Sequence, residues 1–274
     1  MKYDLLIPFK KQLLCDGSIA PNTAKTYYSA VEKIFRDQQF GSFQDIDPKF
    51  IENVLPGMFK TKNEFSAAKN GLLRLHKMYP DLIIPDENFF SDASSRKRNF
   101  SKRPKKTIDL DRVKRCVNQM SDKKLKLAYR LAMVSGLRVS EISALNASDL
   151  LFNDGVIQVS VKHGKGGSNG LVTCLDDQYL YRELLRYIES LIEGNERLFY
   201  SDSHMRREAG RLNLECHDFR RIFAITLRNQ LKAEGKDLKE TDKTVQEQLR
   251  HKRFSTTKRY LYNRKLIIKS GRKK

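Results

Sequence analysis

The chain has 274 residues, 39% of them hydrophobic, and carries 53 Lys and Arg against 33 Asp and Glu, a formal net charge of +20. That is enough apolar material for one large domain or two modest ones with real cores. The cationic excess selects for a polyanion, nucleic acid first and an anionic membrane surface second, and no apolar run approaches the ~20 residues that a spanning helix needs.

At the N-terminus, MKYDLLIPFKKQLL scatters charges among its apolar positions and makes a poor signal peptide. Cys15, Cys116, Cys174 and Cys216 are dispersed, with no CxxC pair, which points to a reducing cytoplasm and no structural zinc. Helical spacing begins near Pro21 to Thr23 and places Tyr27 or Tyr28, Val31, Ile34 and Phe35 on an apolar face. A second helix in 60–80 carries Phe65, Ala68, Leu72 and Leu75 on one stripe and stops at Pro80. Short segments around QDIDP and FIENVLPGMF fit between them. Residues 1–93 thus read as an all-helical domain whose polar faces carry Lys25, Lys33, Lys60, Lys62 and Lys69.

Residues 94–106, SSRKRNFSKRPKK, hold Arg96, Lys97, Arg98, Lys102, Arg103, Lys105 and Lys106 with no acid. Such a run repels itself and builds no core, so it is expected to be an extended linker. It is either a solubilising tether or, as the folded flanks favour, a strap lying along DNA phosphates.

A mixed domain is expected over 107–274. DLDRVKRCVNQM and KLKLAYRLAMVSG read as helices, the second interrupted or capped by Gly136. EISALNASDL reads as a short helix and turn. GVIQVSV alternates like a strand, HGKGGSNG is a turn and LVTCL the returning strand. Helices resume over 176–193, 215–235, 244–251 and 255–268. The fold class is therefore mainly α with a small β-sheet or hairpin.

The familiar catalytic motifs are missing. There is no GxxxxGK[ST] loop, no HExxH and no carboxylate cluster at metal spacing. GKGG lies between strands, not ahead of a helix, so it is no nucleotide cradle. No cofactor and no metal are expected. What remains is Arg138 in SGLRVSE, Lys165 at the hairpin tip, His217 and Arg220 three apart in HDFR, and His251 and Tyr260 in LRHKRFSTTKRY. Each alone is an ordinary surface or core residue. Together they make a coherent chemistry: a tyrosine hydroxyl attacks a DNA phosphate in line, arginines meet the developing charge, histidines handle or orient, and a lysine protonates the leaving oxygen. Lys162 competes with Lys165, and Tyr262 with Tyr260.

SGLRVSEISAL, VSVKHGKGG, HDFRRIFAITL and LRHKRFSTTKRY resemble the motifs of the tyrosine recombinase and phage integrase family. The resemblance covers 107–265 as the catalytic domain and, more loosely, 18–92 as the helical core-binding domain. It implies that Arg138, Lys165, His217, Arg220, His251 and Tyr260 are catalytic, Tyr260 being the nucleophile, and that Glu141 orients Arg138. It further implies a clamp on double-stranded DNA sites, a covalent 3′-phosphotyrosine and a homotetramer exchanging strands through a Holliday junction. The tail segment Leu266, Ile267 and Ile268 would dock on a neighbouring protomer or hold DNA. Three departures stand out. Arg250 replaces the usual glycine before the last histidine, implying altered geometry or a further phosphate contact. The interval between hairpin and HDFR is short. The chain starts almost at the core-binding unit, leaving no room for an arm-site domain. A type IB topoisomerase and a catalytically silent DNA-binding regulator are the alternatives.

Overall fold

A computed structural model of the chain describes residues 5–36, 41–97, 108–162, 169–191, 197–262 and 266–267. The chain divides into two compact units, 1–103 and 104–274.

The first unit is helical: α1 (Leu6–Cys15), α2 (Pro21–Phe35), α3 (Pro48–Met58), α4 (Lys62–Met78) and α5 (Glu87–Ser95). Pro21 and Pro48 sit at helix starts, where their missing N–H costs nothing. Thr61 and Glu64 form a capping box on α4. Val31, Ile34, Phe65, Ala68, Leu72 and Leu75 close the core, joined by Phe9 and Phe90 from two helices that periodicity did not reveal. The α5 helix runs two residues into the basic segment. Beyond it, Lys97 donates to the Pro56 carbonyl and covers the Phe65 ring at 5.4 Å, while Arg96 is exposed. Lys33 and Lys69 are also engaged within the unit, by the Met58 carbonyl at 3.1 Å and by Glu87. Arg98, Lys102, Arg103, Lys105 and Lys106 lie outside the described residues.

The second unit opens with β1 (Ile108–Asp109), α6 (Leu110–Asn118), α7 (Lys123–Ser135) and α8 (Val139–Ser143). A sheet follows, β2 (Leu150–Asn153), β3 (Val156–Val161) and β4 (Gly170–Thr173), then α9 (Gln178–Glu189), α10 (Asp202–Arg211), α11 (Cys216–Ala233), α12 (Leu238–Gln248), α13 (Phe254–Tyr262) and β5 (Leu266–Ile267). The fold is mainly α with a small antiparallel sheet, as the sequence implies. Its centre is α7, buried on nearly every face from Leu125 to Ser135. Tyr129 stacks on Phe219 of α11 at 4.7 Å and its hydroxyl donates to the Met205 carbonyl at 2.5 Å. Asp177 caps α9 and accepts from Nε and Nη2 of Arg130, at 2.6 to 3.1 Å.

The sheet runs β2-β3-β4, with Val159 opposite both Leu150 and Val172. β2 is not foreseen by the expectation, which has a short helix and turn over 141–150 and its first strand at GVIQVSV. The tight turn of Asp154 and Gly155, both at positive φ, pairs 150–153 with β3 instead. The helix expected over 255–268 stops at Tyr262. Leu266 and Ile267 form a parallel pair with Ile108 and Asp109 of this same chain. Ile268 lies outside the described residues.

A smaller core of Phe223, Ala224, Leu231, Val245, Leu249 and Leu261 joins α11, α12 and α13. Gly136 links it to α7. It ends that helix at φ +63°, and a Cβ there would collide with the Phe223 ring. Gly136→Ala is therefore expected to cost roughly 3 kcal/mol, from left-handed strain plus overpacking. A denaturant melt of the two proteins measures it, and an unchanged midpoint refutes it.

Candidate active site

Arg138 is placed by the end of α7. After left-handed Gly136 the chain turns, and Arg138 becomes the first cap of α8. Glu141, 3% exposed, accepts the Arg138 backbone N–H on Oε2 and its Nη1 on Oε1, each at 2.7 Å. Arg250 Nη2 reaches the same Oε2 at 2.6 Å. Burial pushes the Glu141 carboxyl up, but these hydrogen bonds and the Arg250 charge outweigh it and hold the group below its ordinary range. Nε and Nη2 of Arg138 have no partner among the described residues.

His217 and Arg220 lie in the first turns of α11. Arg220 is 1% exposed. Its Nη1 donates to the Gly136 carbonyl, and its Nη2 to the Leu249 carbonyl at 2.5 Å and to His251 Nε2 at 3.1 Å. Burial, then Arg138, lowers it to about 10, so it remains charged at neutral pH. The residue read as a phosphate ligand is thus also a strut joining the end of α7, α11 and the turn after α12.

That turn is made by Leu249, Arg250 and His251. Arg250 N–H donates to Glu247 at 2.8 Å and His251 N–H to Gln246 at 3.1 Å, the double closure of a Schellman motif. Its middle residue must be left-handed, and Arg250 has φ +52°. Here lies the physical reason a glycine suits this position.

The tautomer of His251 follows from its partners. Arg220 can only donate, so Nε2 accepts and Nδ1–H donates to Thr257 Oγ1 at 3.0 Å. Burial first, then Arg220, Arg138 and Arg250, push the ring down to about 3, and it is neutral. Both ring nitrogens are occupied by protein groups, so the histidine expected to face phosphate is held between Arg220 and α13 in this arrangement. An unfolded histidine takes a proton near pH 6.5 and the folded one only near 3. Between those values the unfolded chain binds more protons, so stability falls as pH falls. Wild type is expected to lose on the order of a few kcal/mol between pH 7 and 4. Since Glu141, whose carboxyl is also held below its ordinary range, acts in the same direction, the contrast lies with His251→Gln, which should lose measurably less in denaturant melts across that interval. Equal slopes would refute it.

Tyr260, half-buried on α13, has its hydroxyl 3.2 Å from His217 Nδ1. Burial, then Arg206, Arg220 and Arg221, lower His217 below its ordinary value. In the Nε2–H tautomer of that neutral ring, Nδ1 accepts the phenol proton. The guanidiniums of Arg220 and Arg221 lie 5.8 and 5.5 Å from the Tyr260 ring centroid. Tyr262, the competing tyrosine, is taken up elsewhere. Its hydroxyl donates to Asp242 at 2.9 Å and meets Arg228, which binds Asp242 at 2.8 Å. This trio anchors the end of α13 to α11 and α12.

Lys165 lies outside the described residues. Lys162, just past β3, pairs with buried Asp149 at 2.5 Å and shares with Glu141 the lining of a cleft of about 260 Å³. Burial, more than any other cause, pushes the Cys216 thiol up to about 11, a packing group beside His217 and no thiolate. His76 lies 2.7 Å from the Leu82 carbonyl and His204 2.9 Å from Arg207. The structure brings together Arg138, Glu141, His217, Arg220, Arg250, His251 and Tyr260. Sequence reasoning missed Arg221, one residue past HDFR, and Thr257, which fixes His251 from within STTKRY.

Three gathered cations, a buried carboxylate and a tyrosine poised on a neutral histidine suit chemistry at a phosphate diester. The phage integrase family pattern matches residues 106–266, and the chain belongs to that family. Among curated relatives it is 32% identical over 160 residues to tyrosine recombinase XerD of Oceanobacillus iheyensis, covering 53% of this chain and 52% of that protein. The chain thus spans about half the length of that relative. It is 27% identical to tyrosine recombinase XerA of Pyrococcus horikoshii, covering 94% of this chain and 88% of that one. Two solved structures share the fold. One is a lambda integrase dimer bound to a COC′ core site, with TM-score 0.65, 21% identity and 99% of each chain covered. The other is the Tn1549 transposon integrase in complex with transposon right end DNA, with TM-score 0.61, 17% identity and 94% of each covered.

Proposed function

We propose that this protein is a site-specific DNA recombinase that cuts and rejoins duplex DNA through a tyrosine. The observation that carries the reading is the Tyr260 hydroxyl 3.2 Å from neutral His217, with Arg220 and Arg221 against its ring. His217 accepts the phenol proton as Tyr260 Oη attacks the phosphorus. The P–O bond to the 5′ oxygen breaks, and Lys165 protonates that oxygen. A 3′-phosphotyrosine and a free 5′ hydroxyl remain, so the bond energy is kept and no ATP is required. Arg138 donates to the non-bridging oxygens through the two nitrogens that have no partner among the described residues, and Arg220 adds its charge. His251 holds Arg220 and the tyrosine helix in register.

Family membership and the net charge of +20 support a DNA substrate. The likeness of the fold to a lambda integrase tetramer bound to a Holliday junction supports a tetramer that exchanges strands in two steps. Exposed Arg96, with the basic residues beyond Lys97, is the stretch we assign to the phosphates.

A nicked suicide duplex from the gene's own neighbourhood tests this, since loss of the short fragment bearing the freed 5′ hydroxyl traps the adduct. The expected result is a protein–DNA adduct mapping to Tyr260, and exchanged products from paired sites. Relaxed supercoils with no exchange would favour a topoisomerase. Specific binding with no adduct would favour a silent regulator.

A further inference from the structure

Arg250 sits where the backbone favours glycine. Its φ of +52° is left-handed, and it carries a long cation there. The side chain is not shed to solvent, since only 9% of it is exposed. Its stem passes the head of β4, where a Cβ on Gly170 would lie 3.9 Å from Arg250 Cδ. Its Nη2 meets Glu141 Oε2 at 2.6 Å, and Nε and Nη1 are buried without a hydrogen-bond partner among the described residues. Backbone strain and two desolvated donors oppose this arrangement, so the ion pair is what holds it.

The pair matters because of what else Glu141 holds. The same carboxylate takes the Arg138 backbone N–H on Oε2 and its guanidinium on Oε1. With glycine at 250, Glu141 would face Arg138 alone, cancel most of its charge and be free to turn about its last torsion. With arginine, Oε2 is pinned from the opposite side. The set Arg138, Glu141 and Arg250 then carries a net +1, to which Arg220 adds another.

We propose that Arg250 is a positioning residue for Arg138. Through Glu141 it fixes the Arg138 guanidinium and restores the positive charge that the carboxylate would otherwise withdraw from the phosphate pocket. The inference rests on the recombinase reading above.

The experiment measures single-turnover adduct formation on the mapped suicide duplex, DNA affinity and thermal midpoint for wild type, Arg250→Gly, Arg250→Lys and Arg250→Met. Glycine suits the left-handed turn, so Arg250→Gly should fold. It is expected to cleave about tenfold or more slowly, with affinity within about twofold of wild type, because the loss falls on the transition state. Lysine keeps the charge and one donor toward Oε2 and should recover most of the rate. Methionine, of similar length and no charge, should not. In a Glu141→Gln background, removing Arg250 should cost much less than in wild type. Wild-type cleavage by Arg250→Gly overturns the inference and leaves the recombinase reading intact. A rate loss tracking the thermal midpoint, unrescued by lysine, also overturns it and makes Arg250 merely structural. No adduct from wild type overturns both.

Discussion

Tyr260→Phe is expected to abolish the covalent DNA adduct while leaving DNA affinity unchanged. The substitution removes one oxygen at the helix surface. The ring keeps its contacts with Arg220, Arg221 and His251, at 5.8, 5.5 and 5.4 Å, so α13 has no reason to move. Tyr262 cannot stand in for the lost attacking atom, because its hydroxyl is bound by Asp242 and Arg228. Tyr262→Phe is the matched control. It should still form the adduct but melt earlier, by about 1 kcal/mol, since it leaves Asp242 and Arg228 short of a partner. The adduct is read as a shifted band after denaturing electrophoresis of a suicide reaction. A persistent band from Tyr260→Phe, or its disappearance from Tyr262→Phe alone, would reassign the nucleophile.

Arg220→Ala is expected to damage both fold and chemistry. The side chain is buried and satisfies two backbone carbonyls and a histidine nitrogen at the meeting point of α7, α11 and the turn after α12. Removing it leaves those acceptors unpaired and opens a cavity, at a cost of roughly 3–5 kcal/mol. Arg220→Lys separates the two roles. Lysine retains a charge but lacks the planar fork that spans Gly136, Leu249 and His251. It should fold with a lowered denaturation midpoint and cleave about 100-fold or more slowly at a temperature where it is still folded. If Arg220→Lys cleaved at nearly the wild-type rate under those conditions, Arg220 would be scaffold alone.

Much of this architecture was legible in the chain. The helices around Val31, Leu72, Leu127 and Phe223 announce themselves by spacing, because each buries one stripe or is buried throughout. β2 was not legible as written. Its four residues follow a helical stretch, and only pairing with β3 makes them a strand. Both α1 and α10 leave a weak local signal for a related reason: only three and two of their residues, respectively, are buried. RKLII continues a helical composition past the end of α13, whereas Leu266 and Ile267 find an edge to pair with at β1. Strand partners distant in sequence leave no local trace.

For the site, sequence by itself determined which residue types are present and which motifs they fall in: Arg138, HDFR, and a histidine nine positions before a tyrosine. The family resemblance also marked Arg250 as out of place, where glycine is usual, and the structure supplies the reason in a left-handed turn after a helix. Only the tertiary structure decided how those groups are used. It put Tyr260 on His217, occupied Tyr262 elsewhere, set the tautomer of His251 between an arginine and Thr257, and showed Arg220 to be a strut as well as a charge. Above all it gave Arg138 and Arg250, 112 positions apart, one shared carboxylate. Residue identity and short spacing are written in the chain. Hydrogen-bond direction and the sharing of one buried acceptor arise only when α8, α11 and the turn after α12 pack together, because those depend on distances that no local pattern encodes.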